Sequence, residues 1–325
     1  MDEREALISL NMMEQVGPVT ADTLASELGS YCAIFNAKEG EMEKVCGIGR
    51  RTVAAICRQR SDVAFEEELD KAESLDIRVI TRIDSEYPDF LRNIHDPPLA
   101  LYVRGEFKSR DAESVAIVGT RRPTHYGREV AERFSFTLCK SGITVVSGLA
   151  EGIDTVAHEA ALKARGRTLA VMGSGFMNIY PTRNRGLCEK ILESGAVISE
   201  FPLAKRPDKT TFPMRNRIVS GLSRVVLVIE AGRRSGALIT ATQALEQGRT
   251  VYAVPGRVDS PASEGTNLLI KDGAGVATRP DDIIDEFDNL FGINAGCFPA
   301  TARAVLDDRE KLLLGLLESG PVGVD

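Results

Sequence analysis

From Val115 onward one pattern repeats along the chain. Short, unbroken apolar runs ("VAIVG", "ITVVS", "TLAVM", "AVIS", "RVVLVI", "TVYAV" and "GVA") are separated by stretches with helical spacing. Strands whose apolar residues run on without alternation are covered on both faces, which is the condition of a parallel sheet. Helices are expected between the runs, over residues 127–140, 151–164, 185–193, 214–222 and 237–247. Repeated strand–helix–strand units predict an α/β fold with a doubly wound, mainly parallel sheet. Ligands of such sheets sit beyond the carboxyl ends of the strands, beside helix N-termini. The turns that follow the apolar runs are therefore where function is to be read.

The first of these turns, in "VAIVGTRRPTHYG", has a glycine just after the strand, as dinucleotide-binding turns do, but lacks the second and third glycines of that fingerprint. Arg121 and Arg122 stand there instead. Further cations recur on the same rim: Arg183 and Arg185 after the third run, then Lys205, Arg206, Lys209, Arg215 and Arg217, and finally Arg233 and Arg234. The formal net charge of −7 hides this pattern. Residues 1–114 carry 14 Lys and Arg against 23 Asp and Glu, residues 115–280 carry 23 against 14, and residues 281–325 carry 3 against 10. A basic middle between acidic flanks suits a polyanion, because local field steers a ligand more than total charge does. One phosphate needs one or two cations, so a set this large fits several phosphates in a row. Part of the set is expected to brace loops, with Arg217 and Arg224 the first candidates. Arg122 either shares a phosphate with Arg121 or braces the turn. Trp is absent and aromatics make up 6% of the chain. Phe176, Tyr180 and Phe212 are the rim's candidates for stacking on bases, and their scarcity points to backbone-led, weakly sequence-specific binding.

Other chemistries find little support. Ser147, Asp154 and His158 suggest a triad, but no serine sits in a G-x-S-x-G elbow. There is no GxxxxGK[ST] phosphate loop. The six cysteines are scattered without a CxxC pair, as free thiols in a reducing compartment are, and no zinc site is expected. No apolar run reaches the length of a membrane span, and the acidic N-terminus lacks a signal-peptide pattern. A cytoplasmic protein without catalytic residues, metal or cofactor is expected.

Residues 1–60 read as a small helical domain in which two Gly-turn-helix units, "VGPVTADTLASELGS" and "VCGIGRRTVAAICRQR", give it a helix-hairpin-helix or SAM-like character. Residues 61–114 read as a connecting segment with a charged helix and two short strands, at "IRVIT" and after the paired prolines of "DPPLALYVRG". The core is expected over 115–291, closing with the helix "DDIIDEFDNLF", and 292–325 as a linker and the start of a truncated winged-helix-like module near Glu310–Glu318.

Taken in order, "YPDFLRNIHDPPLALYVRG", "AIVGTRR", "VVSGLAEGID", "SEFP", "FPMRNRIVSGLS", "SGALITA", "GRTVYAVPG" and "EGTNLLIKDGA" resemble the DprA/Smf family of DNA-processing proteins of natural transformation. The resemblance covers most of the chain and is densest from Tyr87 to Asp282. It implies an extended Rossmann-like core that binds single-stranded DNA, protects it and loads RecA recombinase onto it, working as a homodimer. The family's Gly-Ser-Arg motif on the first turn falls on Gly119, Thr120 and Arg121, with threonine in place of serine. The basic position ahead of "FPMRNR" falls on Lys209. The DNA contacts expected are therefore Gly119, Thr120, Arg121 and Arg122, then Arg183 and Arg185. To these are added Lys209, Phe212, Arg215 and Asn216, and Ser235 and Gly236 of "SGALITA". The family's "G-L-D-x-x-Y-P" reads "GFMNIYP" here. Two other readings stay open. One is a nucleoside-monophosphate phosphoribohydrolase of the LOG type, although "PGRVDSPASEGTN" lacks the spacing of its PGGxGTxxE turn. The other is a scaffold for the competence machinery on which the basic rim is incidental.

Overall fold

The structure is a computed structural model and describes residues 1–291. Six helices come first: α1 (Glu3–Met12), α2 (Pro18–Leu28), α3 (Tyr31–Asn36), α4 (Glu39–Met42), α5 (Arg50–Gln59) and α6 (Phe65–Ser74). β1 (Arg78–Thr81), α7 (Asp89–Arg92) and β2 (Ala100–Gly105) follow, then β3 (Ser114–Val118), α8 (His125–Lys140), β4 (Thr144–Ser147), α9 (Ile153–Lys163) and β5 (Thr168–Met172). The chain continues through α10 (Arg185–Leu192), β6 (Ala196–Ser199), α11 (Thr211–Gly221) and β7 (Val225–Val228). It closes with α12 (Gly236–Glu246), β8 (Thr250–Ala253), α13 (Glu264–Lys271), β9 (Gly275–Val276) and α14 (Asp281–Phe291). Residues 1–284 form one compact unit. The linker and winged-helix start expected over 292–325 lie outside the described residues.

All nine strands among the described residues join one sheet in the order β1-β2-β6-β5-β4-β3-β7-β8-β9. From β3 the chain winds outward through β4 and β5 to β6, then returns to lay β7 on the other side of β3, parallel to it with Val115 opposite Val225. This is the expected doubly wound α/β sheet, and the reversal puts its switch point between β3 and β7. The sheet also takes in part of the stretch read as a connecting segment. β2 pairs antiparallel with β6, Tyr102 opposite Ser199, and β1 pairs antiparallel with β2, Arg78 opposite Val103. Both strands lie outside the parallel winding, so the strand–helix alternation that marks the rest of the sheet does not mark them.

Successive strand residues serve opposite faces. Val171 and Ile198 pack with Ile218, Val219 and Ala241 of α11 and α12, whereas Ala170 and Val197 pack with Leu187 and Ile191 of α10. The N-terminal helices enclose a separate cluster that includes Leu7, Leu10, Leu24, Ile34 and Ile56. α1 serves two clusters, because Ile8 packs instead on Val79 and Tyr102 of the antiparallel flank.

A charged seam joins these parts. Arg217 donates from Nε to Asp96 Oδ2 at 2.8 Å and from Nη2 to Glu200 Oε1 at 2.5 Å, and its side chain is 5% exposed. Arg82 donates to both carboxylate oxygens of Asp22, at 2.8 Å each. Arg224 lies 4.5 Å from the Phe90 ring centroid and donates to Ala112 O at 2.9 Å. The bracing role expected of Arg217 and Arg224 is what their geometry shows. No helix among the described residues is long and apolar enough to cross a membrane.

Candidate functional site

A groove of about 670 Å³ opens at the carboxyl ends of β3 and β7. One wall is formed by Gly119, Thr120 and Arg121, the start of a loop that runs to Thr124 and is tied down at both ends. Thr120 N–H donates to Glu230 O at 2.7 Å and Ile153 N–H donates to Thr120 O at 3.2 Å. At the far end Thr124 donates to the Glu230 carboxylate through its backbone N–H at 2.8 Å and its hydroxyl at 2.7 Å. Thr120 Oγ1 accepts from Arg122 N–H at 3.2 Å. Gly152, at φ +89°, lies so close beneath the loop that a Cβ would stand 2.3 Å from Thr120 O. Gly119 proves to be a packing glycine as well, since a Cβ there would meet Ile153 Cγ1 at 2.6 Å.

Across the groove stand the first turns of α11 and α12. The Arg121 guanidinium lies 5.0 Å from the Phe212 ring centroid, within cation–π range. Tyr180, 45% exposed, sits with its centroid 5.8 Å from that of Phe212, the rings tilted by 47°. Phe176 packs instead against core clusters. Lys209, Arg233 and Arg234 also line the groove. Among the described residues none of Arg121, Lys209, Arg233 and Arg234 has an ion-pair partner. Ser235 caps α12, its hydroxyl accepting from Ala237 N–H at 3.3 Å, and the space beside Gly236 is open. The positive end of the α12 dipole thus adds to the cations.

Nine of the expected contacts line this groove: Gly119, Thr120 and Arg121, then Lys209, Phe212, Arg215 and Asn216, and Ser235 and Gly236. Arg215 lines the floor of the groove. Its side chain is buried, and its Nη1 donates to the carbonyls of Gly148 and Val171, so it supports the groove's floor. Burial pulls its pKa down to about 10, with Asp154 acting against that shift and Arg121 adding to it. Three expected contacts stand outside the groove. Arg122 and Arg185 are exposed, the latter at the start of α10, and Arg183 pairs with Glu151 at 3.1 Å.

Asp154 also lines the groove; burial raises its pKa, opposed by Arg215 and by N–H donors from Ala150 and Gly148 at 3.3 and 3.1 Å. His158 Nδ1 lies 2.7 Å from Thr168 Oγ1, which itself donates to Val145 O, so Nδ1 carries the proton. Burial pushes the His158 pKa down to about 3. Ser147 donates to Ile117 O at 2.6 Å. These three residues are each tied to other partners and form no proton relay. Among the described residues no cluster of His, Cys, Asp and Glu is placed to hold a metal ion. Sequence reasoning missed Glu230, which anchors the loop through backbone and side chain. The only signal for it was its place directly after the "RVVLVI" run.

Residues 78–288 match the family model of DNA recombination-mediator protein A, from β1 into α14. The chain is similar to Protein Smf of Synechocystis, 37% identical over 286 residues, covering 87% of this chain and 72% of that one. Its fold is similar to DNA processing protein A of Streptococcus pneumoniae, with a TM-score of 0.71 at 34% identity, over 82% of this chain and 93% of that one. DNA processing protein A of Helicobacter pylori, a structure described for its single-stranded DNA binding mode, aligns with a TM-score of 0.59 at 32% identity, over 65% of this chain and 96% of that one. With the whole nine-stranded sheet inside the family match, the chain belongs to the DNA recombination-mediator protein A (DprA/Smf) family.

Proposed function

We propose that this chain binds single-stranded DNA in the groove at the carboxyl ends of β3 and β7, shelters it, and passes it to a RecA-type recombinase, acting as a homodimer. The observation that carries this reading is Arg121, which faces the groove without a carboxylate partner while lying over Phe212. A cation beside an aromatic ring offers one strand both of what it needs, a phosphate partner and a stacking surface. Lys209, Arg233 and Arg234 extend the cationic surface toward neighbouring phosphates. The rings of Phe212 and Tyr180 suit bases that are already unstacked, and no helix among the described residues stands out as a reading head for a duplex groove. The Helicobacter pylori relative's single-stranded DNA binding supports the same ligand. Binding, sheltering and hand-over involve no covalent step.

The test is a gel shift with single-stranded and duplex DNA across a salt series. A marked preference for the single strand with a steep salt dependence supports the proposal. Equal retention of both, or none at low salt, sinks it. The hand-over is tested by the rate at which RecA assembles on a single strand with and without the protein, and the homodimer by sedimentation equilibrium.

A further inference from the structure

Doubly wound sheets seat a nucleotide's phosphates in the crevice between the two strands at the switch point, against the first turn of the helix that follows the first strand. In this chain the crevice lies between β3 and β7 and the helix is α8. That place is taken by the chain's own carboxylate. Glu230 is 3% exposed, and its two carboxylate oxygens accept from the Thr124 N–H at 2.8 Å and the Thr124 hydroxyl at 2.7 Å. Thr124 Oγ1 in turn accepts from Gly127 N–H at 3.1 Å. Gly127 lacks a side chain where one would collide, since a Cβ would stand 2.6 Å from Glu230 Oε2. The close approach that a pyrophosphate needs from a glycine is therefore present, but a carboxylate occupies it.

The geometry points to Glu230 as a built-in anion that closes the nucleotide-phosphate subsite of this fold, so that the groove selects a polynucleotide over free nucleotides and pyrophosphate. A buried carboxylate there both takes up the Thr124 donors at the N-cap of α8 and repels a second anion. Phosphates are left with the outer cations, Arg121 and Lys209, and with the first turn of α12. Each of these offers a modest attraction, so affinity accumulates only for a ligand that brings several linked phosphates. The selectivity rests on the groove being a strand site; the closure of the subsite does not.

The experiment titrates inorganic pyrophosphate, and separately oligo-dT, into the full chain and into Glu230→Ala and Glu230→Gln, with folding checked by circular dichroism and thermal unfolding. Wild type is expected to take up no pyrophosphate at millimolar concentration. Glu230→Ala is expected to raise the ratio of pyrophosphate to oligo-dT affinity by at least about tenfold, the scale of a hydrogen bond to a charged group. Glu230→Gln keeps the shape and loses the charge, and falls between. Wild type that binds pyrophosphate as well as Glu230→Ala overturns the inference, as does a folded Glu230→Ala with no gain. If Glu230→Ala does not fold, Glu230→Gln decides, and no gain there overturns it equally. Wild type that fails to bind oligo-dT at low salt ends the strand reading and leaves the pyrophosphate comparison intact.

Discussion

The groove at the switch point and the seam around Arg217 are both built on arginine, and they differ in where the counter-charge stands. In the seam, Arg217 is buried between Asp96 and Glu200. Burial alone would lower its pKa, but the two carboxylates reverse that and raise it. In the groove, Arg121 has an aromatic ring beside it and open space ahead. Residue type is shared; what separates support from function is whether the chain has already neutralised the charge. The two regions should therefore respond to mutation in different observables, stability for one and binding for the other.

The largest expected effect is in the seam. Arg217→Ala leaves Glu200 buried without its partner and is expected to cost about 3–5 kcal/mol of stability, read from urea unfolding. A cost under about 1 kcal/mol would erase the contrast, since surface arginines behave that way. Next comes His158, another buried group with internal partners. Its folded pKa of about 3 lies below the 6.5 of an unperturbed histidine, so the unfolded state binds the proton first as pH falls. The stability present above pH 6.5 is then lost toward pH 3, at about 1.4 kcal/mol per unit. His158→Asn is expected to remove about that slope from unfolding midpoints measured between pH 7 and pH 5. Asp154, whose raised pKa acts with the opposite sign, is common to both proteins and drops out of the difference.

The groove residues should move binding and leave stability nearly alone. Arg121→Ala is expected to weaken oligo-dT binding about tenfold and reduce the salt slope by about one, with unfolding shifted by no more than about 0.5 kcal/mol. An unchanged affinity and slope would remove Arg121 from the site. Phe212→Leu sharpens the point with the smallest effect. It removes a stacking face worth about 1 kcal/mol and upward, so affinity falls several-fold while the salt slope stays as in wild type. A slope that falls along with affinity would mean that Phe212 acts only by positioning Arg121.

The parallel part of the fold was legible because each strand and helix carries its own local period. The antiparallel addition was not. β1 and β2 are readable as short strands, but their place beside β6 depends on contacts distant in sequence. In the site, Gly119 to Arg121, Lys209 and Phe212 were readable as a rim because they follow strands. The text could not separate Arg215 from Arg121. Arg215 and Arg217 are both buried although two residues apart on α11, because α11 is covered on one side by the 148 turn and on another by Asp96 and Glu200. Glu230 looked like an ordinary acid for the same reason, since its partner Thr124 is 106 residues away.

The anchored loop has a consequence in time. Only Arg121, Arg122 and Pro123 lie between the hydrogen bonds at Thr120 and those at Thr124, and Pro123 has its φ fixed by its ring. A ligand arriving at Arg121 meets a segment that needs no further folding, so little ordering entropy is charged to the encounter. Capture there is then governed by diffusion and the basic field, and the lifetime of the complex by how many contacts must let go together.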